Sequence, residues 1–233
     1  MWHRPAPAGF WQRAAAWSLD AVPVALLALV VSWPGLRPAL ARLAPAGDPA
    51  LHALADAMAD VLRAQVANGP DPAGLPFALL PAATSAATTL TPLLWSLLWP
   101  PLLAFAGLAV LWHGSFEASH WQASPGKRLL GLRVVAADGT RPGIGRAFAR
   151  QLAGGLSWLV LNLGHAMALA GPEYRALHDR LAGTRMLADR PGLPRWARGW
   201  LAVAIVAPAA AGLAAAMGLV ARLQYLLDQA LWY

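Results

Sequence analysis

Three long apolar runs leave this chain few alternatives to a membrane. A helix needs about 20 apolar residues to cross a hydrocarbon core. Residues 14–33, 90–112 and 200–220 each supply that length. The first holds one charge, Asp20, and the other two hold none. Of 233 residues, 58% are hydrophobic and 12% charged, too apolar a balance for one soluble core. It also excludes a disordered chain. Cysteine is absent, which removes disulfide, zinc-thiolate and thiol chemistry.

The runs differ in detail. Pro92, Pro100 and Pro101 predict a kink in the second. Ala204, Pro208, Gly212 and Ala216 suit the last to close helix packing rather than to lipid. A fourth run, 152–171, opens on Gly154-Gly155 and is broken by Asn162-Leu163-Gly164-His165. It reads as two half-helices, re-entrant or buried, or as one span with a glycine packing face. The first run is longer than a signal-peptide core and contains Asp20, so it reads as a retained span.

The formal net charge of +7 comes from 17 arginines and one lysine, Lys127, against 11 acids. Lying between apolar runs, it points to a membrane surface and not to nucleic acid. Arg4 and Arg13 flank the first run without an acid. Segment 34–89 has three Arg and four Asp, 117–146 five basic residues and two acids, and 172–198 six Arg and three acids. Charge counting then puts the N-terminus inside, 34–89 outside, and 117–146 and 172–198 inside. Both of the latter can be inside if 152–171 is re-entrant. Four true crossings would instead bring the C-terminus inside.

Within the outer segment, Asp48-Pro49 is a helix-start signal and Asn68-Gly69-Pro70 a stop. Leu51, Leu54, Met58, Val61, Leu62 and Val66 recur at near-helical period, which predicts an amphipathic outer-loop helix over about 49–67. On the inner side, residues 130–140 are strand-like and Asp138-Gly139 is a turn signal, so a short β-hairpin is expected. No internal repeat is expected, which argues against an inverted-repeat transporter within one chain. A homo-oligomer would supply the symmetry instead.

Several polar residues need an explanation in such a chain. Asp20 lies about 9 Å into the first helix, where a carboxylate must pair, protonate or face water. Arg13, on the same face, is about 10.5 Å away, too far for direct pairing, so each needs another partner. His113, Glu117 and His120 fall at i, i+4 and i+7, a spacing open to metal or proton binding but more often ordinary interfacial residues. His178-Asp179-Arg180 could shuttle protons or anchor a loop. The Gly126-Lys127 pair lacks the phosphate-loop spacing, and Lys127, Arg128 and Arg133 read as contacts to anionic headgroups. No nucleophile set is visible, so no enzyme is expected.

Together these segments resemble the RDD family of bacterial membrane proteins. Arg13-x6-Asp20 is followed by Ser-Pro-Gly-Lys-Arg-Leu-Leu-Gly-Leu-Arg-Val-Val at 124–135, by Arg150, and by Leu-His-Asp-Arg-Leu-Ala-Gly-Thr-Arg-Met-Leu at 177–187. The resemblance covers about 9–188 and assigns the family's arginine and two aspartates to Arg13, Asp20 and Asp179. Glu117, Gly126, Lys127, Arg150 and His178 support them. It implies an all-α membrane protein of three to four transmembrane segments in the bacterial inner membrane, multi-pass, with a cytoplasmic N-terminus. Residues 189–233 would add a linker and an extra C-terminal span. Transport of small ions or solutes is the implied activity, and a non-transporting membrane scaffold the alternative. No metal, cofactor or nucleic acid is implied, and the partners are the bilayer and anionic headgroups. The two motif segments predict a polar cluster at the inner boundary, held by Arg–carboxylate bonds. Asp179 would meet Lys127 there, and Asp20 would join them or Arg150.

Overall fold

A computed structural model describes residues 5–171 and 173–232. Arg4, counted above in the inner flank, and Pro172, at the start of the last basic segment, lie outside them. The elements are β1 (Ala6–Pro7), α1 (Phe10–Asn68), α2 (Leu75–Ala118), α3 (Pro125–Leu129), β2 (Leu132–Ala136), α4 (Ile144–Leu159), α5 (Leu163–Ala166) with a 3-10 turn (Met167–Leu169), α6 (Leu177–Leu181), β3 (Thr184–Ala188) and α7 (Arg195–Trp232). Helices α1, α2 and α7 are long and apolar enough to cross a membrane, and α4–α5 would make a fourth span if counted as one. The chain is therefore an all-α membrane protein with a small sheet. It divides into two compact units, Met1–Val30 with Leu103–Val206, and Val31–Leu102 with Ala207–Tyr233.

The expected outer loop is largely helix. α1 does not stop at Trp33, and the helix expected over 49–67 is its continuation to Asn68. Prolines 34, 38, 45 and 49 are four or seven residues apart and share one helix face. The Ala, Leu and Arg residues between them favour helix. The stop at Gly69 is as expected, with φ +89. Asp71 then accepts the Gly74 N–H at 3.0 Å and starts α2, fifteen residues before the apolar run that marked it. In this unit Ala55 and Ala59 are buried, and Arg63 donates to the carbonyl of Ala230 in the last turn of α7. The small residues expected to pack α7 are not covered: Pro208, Gly212 and Ala216 are exposed and Ala204 half-buried.

The other unit contains the sheet, in the order β1-β3-β2. The strand expected at 130–140 forms, and Asp138-Gly139 turns, with Thr140 donating to Asp138. The hairpin does not form, because the chain leaves that turn into α4. β2 pairs antiparallel with β3 instead, Leu132 opposite Ala188 and Ala136 opposite Thr184. Val134, Met186, Leu130, Leu132, Ala188, Ala15, Ala16 and Ala197 form the core beneath it.

This pairing exposes a repeat that the sequence reading denied. Segment α3–β2 and segment α6–β3 are each a five-residue helix, a left-handed glycine and a five-residue strand. They align at a constant offset of 52 positions, from Gly131 to Gly183, with Arg128/Arg180, Leu129/Leu181, Arg133/Arg185 and Ala136/Ala188 identical. Further on, Arg141-Pro142-Gly143 and Arg190-Pro191-Gly192 precede α4 and α7. The register makes the two copies symmetric about the Val134–Met186 pair. Hydrogen bonds obey the same local two-fold: Asp189 N donates to Gly131 O at 2.9 Å and Ala137 N to Gly183 O at 3.0 Å. Each central residue also bonds outward, Met186 O to Ala8 N and Val134 N to Gln122 O.

Gly131 and Gly183 sit at φ +65 and +62 with no side chain closer than 3.6 Å to a Cβ placed there. The penalty for a substituted residue is then backbone strain alone, about 1–2 kcal/mol. Gly131→Ala and Gly183→Ala are expected to lower stability in detergent by similar amounts in that range. Thermal unfolding checks this, and one neutral variant would break the equivalence.

Candidate functional site: a buried network of six charges

Five helices deliver six charged side chains to one place within the first unit. α1 contributes Arg13 and Asp20, α2 Glu117, the start of α3 Lys127, α4 Arg150, and α6 Asp179. Asp20, Glu117, Lys127, Arg150 and Asp179 are buried and Arg13 nearly so. Three cations stand against three carboxylates, so the set is neutral. An unpaired ion costs several kcal/mol in such surroundings, so each of them needs a partner.

Arg150 is at the centre. Its NH1 donates to both oxygens of Glu117, at 2.7 and 2.9 Å, and its Nε to Asp179 Oδ1 at 3.0 Å. Glu117 also accepts from Lys127 Nζ at 2.6 Å and from Gln151 at 2.8 Å. Asp179 accepts from Arg13 NH1 at 2.5 Å and from the backbone N–H of Ala176 at 3.1 Å. The chain of contacts therefore runs Lys127–Glu117–Arg150–Asp179–Arg13, with charge alternating at every step.

Two expectations need correcting. Lys127 and Asp179 do not meet, because Glu117 and Arg150 lie between them. Lys127 is buried in the network and is not a headgroup contact, whereas exposed Arg128 lies over the Trp121 ring at 4.7 Å. Asp20 also departs from expectation, for no arginine holds it. Ser124 Oγ donates to it at 2.5 Å, Gly126 N at 2.8 Å and Trp112 Nε1 at 3.2 Å. Gly126 permits this, since a Cβ there would collide with the carbonyl oxygen of Ala16. The two motif aspartates thus do matching work. Asp20 caps α3 from another helix, and Asp179 caps α6 from within.

The histidines divide. His113 Nδ1 lies 3.1 Å from Lys127 Nζ, which can only donate, so His113 is the neutral acceptor there. Glu117 shares its face as the spacing predicted, but His120 lies beyond the end of α2 and is exposed, so no three-residue face assembles. His178 Nε2 accepts from Arg150 NH2 at 3.1 Å. Burial first, and the neighbouring Arg150 second, push its pKa down to about 3. For Asp179, burial acts upward, but Arg150 and Arg13 outweigh it and hold the carboxyl below its usual range.

Sequence reading missed Ser124, Trp112, Gln151 and Gln12. Ser124 carried a signal, as a serine before Pro125 at a helix start. Trp112 and Gln151 carried none apart from adjacency to His113 and Arg150. The broken run is confirmed as two half-helices: α4 ends before Leu161 and Asn162, both left-handed, and the following helical segment is turned by 114°. Gly164 allows this close return, because a Cβ there would strike the Ser157 hydroxyl.

The model of the RDD family matches residues 7–183. The "Uncharacterized protein YxaI" of Bacillus subtilis (strain 168) is 35% identical over 88 residues, which is 38% of this chain and 58% of that protein. The chain thus spans little more than half the length of that curated relative. No solved structure matches.

Because Arg150 neutralises two buried carboxylates and Arg13 only one, Arg150→Met is expected to cost about 3–5 kcal/mol and Arg13→Met less. Denaturation in detergent measures both. A pH effect follows from His178. The unfolded imidazole takes a proton below about pH 6.5, while the folded one stays neutral to about 3. Stability should therefore fall as pH drops from about 6.5, and Asp179 adds a further loss below about pH 4. His178→Gln, which can still accept from Arg150, should reduce the first part of that slope.

Proposed function

This chain belongs to the RDD family, and on that premise we propose that it is a multi-pass transporter of small ions or solutes. In this reading Asp20 is the group that exchanges a proton or cation, and the other five charges form its frame. What supports it is the unequal treatment of the three buried carboxylates. Glu117 and Asp179 each meet two cations. Asp20 is bonded by a hydroxyl, a backbone N–H and an indole, with the neutral His113 at 3.9 Å. A carboxylate held by neutral dipoles can change its charge state without stranding an arginine. Ionisable groups between spanning helices mark ion paths more often than chance placement would.

The reading places the protein in the bacterial inner membrane with a cytoplasmic N-terminus, its arginine-rich segments toward the cytoplasm. It assigns no catalysed reaction and no cofactor. Anionic headgroups are the expected partners of Arg128 and Arg133. A second reading, a membrane scaffold, draws on the saturation of Glu117 and Asp179, which serves rigidity better than exchange.

Flux separates the two. Reconstituted protein should move a proton or small cation across vesicles. Asp20→Asn, with an unchanged elution profile, should lose at least tenfold of that flux. A folded Asp20→Asn protein with full flux overturns the role of Asp20. Variants whose only defect is lower abundance favour the scaffold.

A further inference from the structure

We propose that the groove beside the first turns of α1 and α7 is a binding site for an anionic phospholipid of the surrounding leaflet. The groove has a volume of about 710 Å³, within the range of small-molecule sites. Phe10, Leu169, Leu193 and Leu201 supply apolar wall, and among the described residues Arg190 and Arg198 are the only charged ones that line it. No carboxylate among the described residues lines it, and those of the buried network are already engaged. The groove is thus a net cation with apolar walls, which is complementary to an amphiphilic anion and not to a small soluble one.

Its position agrees with that chemistry. α1 and α7 are both candidate spans, and the groove lies at the N-terminal end of each, where a helix meets headgroups. Trp11, 56% exposed, stands on its wall, and such aromatics belong to the interface. Basic pockets between spanning helices on the inner side are the usual receptors for anionic headgroups.

The site is also built. Gln12 is buried. Its Oε1 accepts the Gly9 N–H at 3.0 Å, and its Nε2 donates to the carbonyls of Arg190 at 3.1 Å and Gly192 at 2.6 Å. Gly192 takes φ +76 in that turn. One carboxamide thereby ties the first turn of α1 to the turn that presents Arg190. Arg198 Nε donates to Leu193 O at 3.1 Å, and its NH1 and NH2 donors remain for a phosphate. Neither arginine belongs to the six-charge network, so this inference stands apart from the role of Asp20.

The test uses the full chain in detergent, with phosphatidylglycerol or phosphatidylcholine added and bound lipid counted by native mass spectrometry. Phosphatidylglycerol should be retained at least tenfold better and should raise the thermal midpoint. Each of Arg190→Gln and Arg198→Gln should weaken that preference about fivefold. Arg190→Gln alone suffices if Arg198→Gln misfolds, since only the latter loses a backbone bond. Asp20→Asn should leave retention unchanged, which separates failure here from failure of the transport reading. Equal retention of the two lipids, an unaffected Arg190→Gln protein, or displacement by millimolar glycerol phosphate as effective as by lipid would each overturn the proposal.

Discussion

The Arg150–Glu117 pair is the contact on which the rest of this unit depends. A charge-assisted guanidinium–carboxylate contact, here one NH1 group donating to both oxygens, is among the strongest a side chain can form, but burying it alone would leave Asp179 and Lys127 unmatched. The structure answers by extending the pair in both directions, through Glu117 to Lys127 and through Arg150 to Asp179 and Arg13. α1, α2, α3, α4 and α6 are each held by at least one member, so five helices are placed by one electrostatic condition. The close approach of α3 to α1, possible only at Gly126, follows from the same arrangement.

The duplication gives that network its form. Lys127 and Asp179 occupy equivalent positions in the two copies, 52 residues apart, and carry opposite charges. Between them stand Glu117 and Arg150, again opposite. The charges therefore alternate from Lys127 to Asp179, and Arg13 extends the chain of contacts beyond Asp179. A repeat of like charges could not have closed on itself in a buried place, because two lysines or two aspartates at these positions would repel and remain unpaired. Opposite charges at the two equivalent positions let both copies join one chain of ion pairs, while the core they share is apolar.

The spans, the break near Asn162 and the set of buried charges were legible because each depends on local composition. Long apolar runs, a polar interruption and ions inside apolar surroundings all announce themselves in the sequence. Three features were not. The continuation of α1 through Pro34 and Pro38 was hidden because the apolar run ends at Trp33, whereas the prolines beyond it, spaced by four and seven, lie on one helix face. The repeat was hidden because its identities are Arg, Leu, Gly and Ala, common letters in this chain, and because a shift from 52 to 49 positions interrupts it before α4 and α7. The partner of β2 was likewise out of reach, since a turn at Asp138-Gly139 fits a hairpin as well as a strand leading into a helix. The identities of the cluster residues came from the motif, but their wiring came from geometry. Nothing in the spacing says that Asp20 would be held by neutral donors and Asp179 by two arginines.

The central claim is that the five ion-paired charges from Lys127 to Arg13 behave as one unit. A double-mutant cycle between Lys127 and Asp179, which do not touch, tests it most directly. Lys127→Met and Asp179→Asn each leave the buried network with an uncompensated charge, of opposite sign. Unfolding free energies in detergent should show the double variant less destabilised than the sum of the singles, by about 1–3 kcal/mol. Strict additivity would contradict the account and reduce the network to independent pairs.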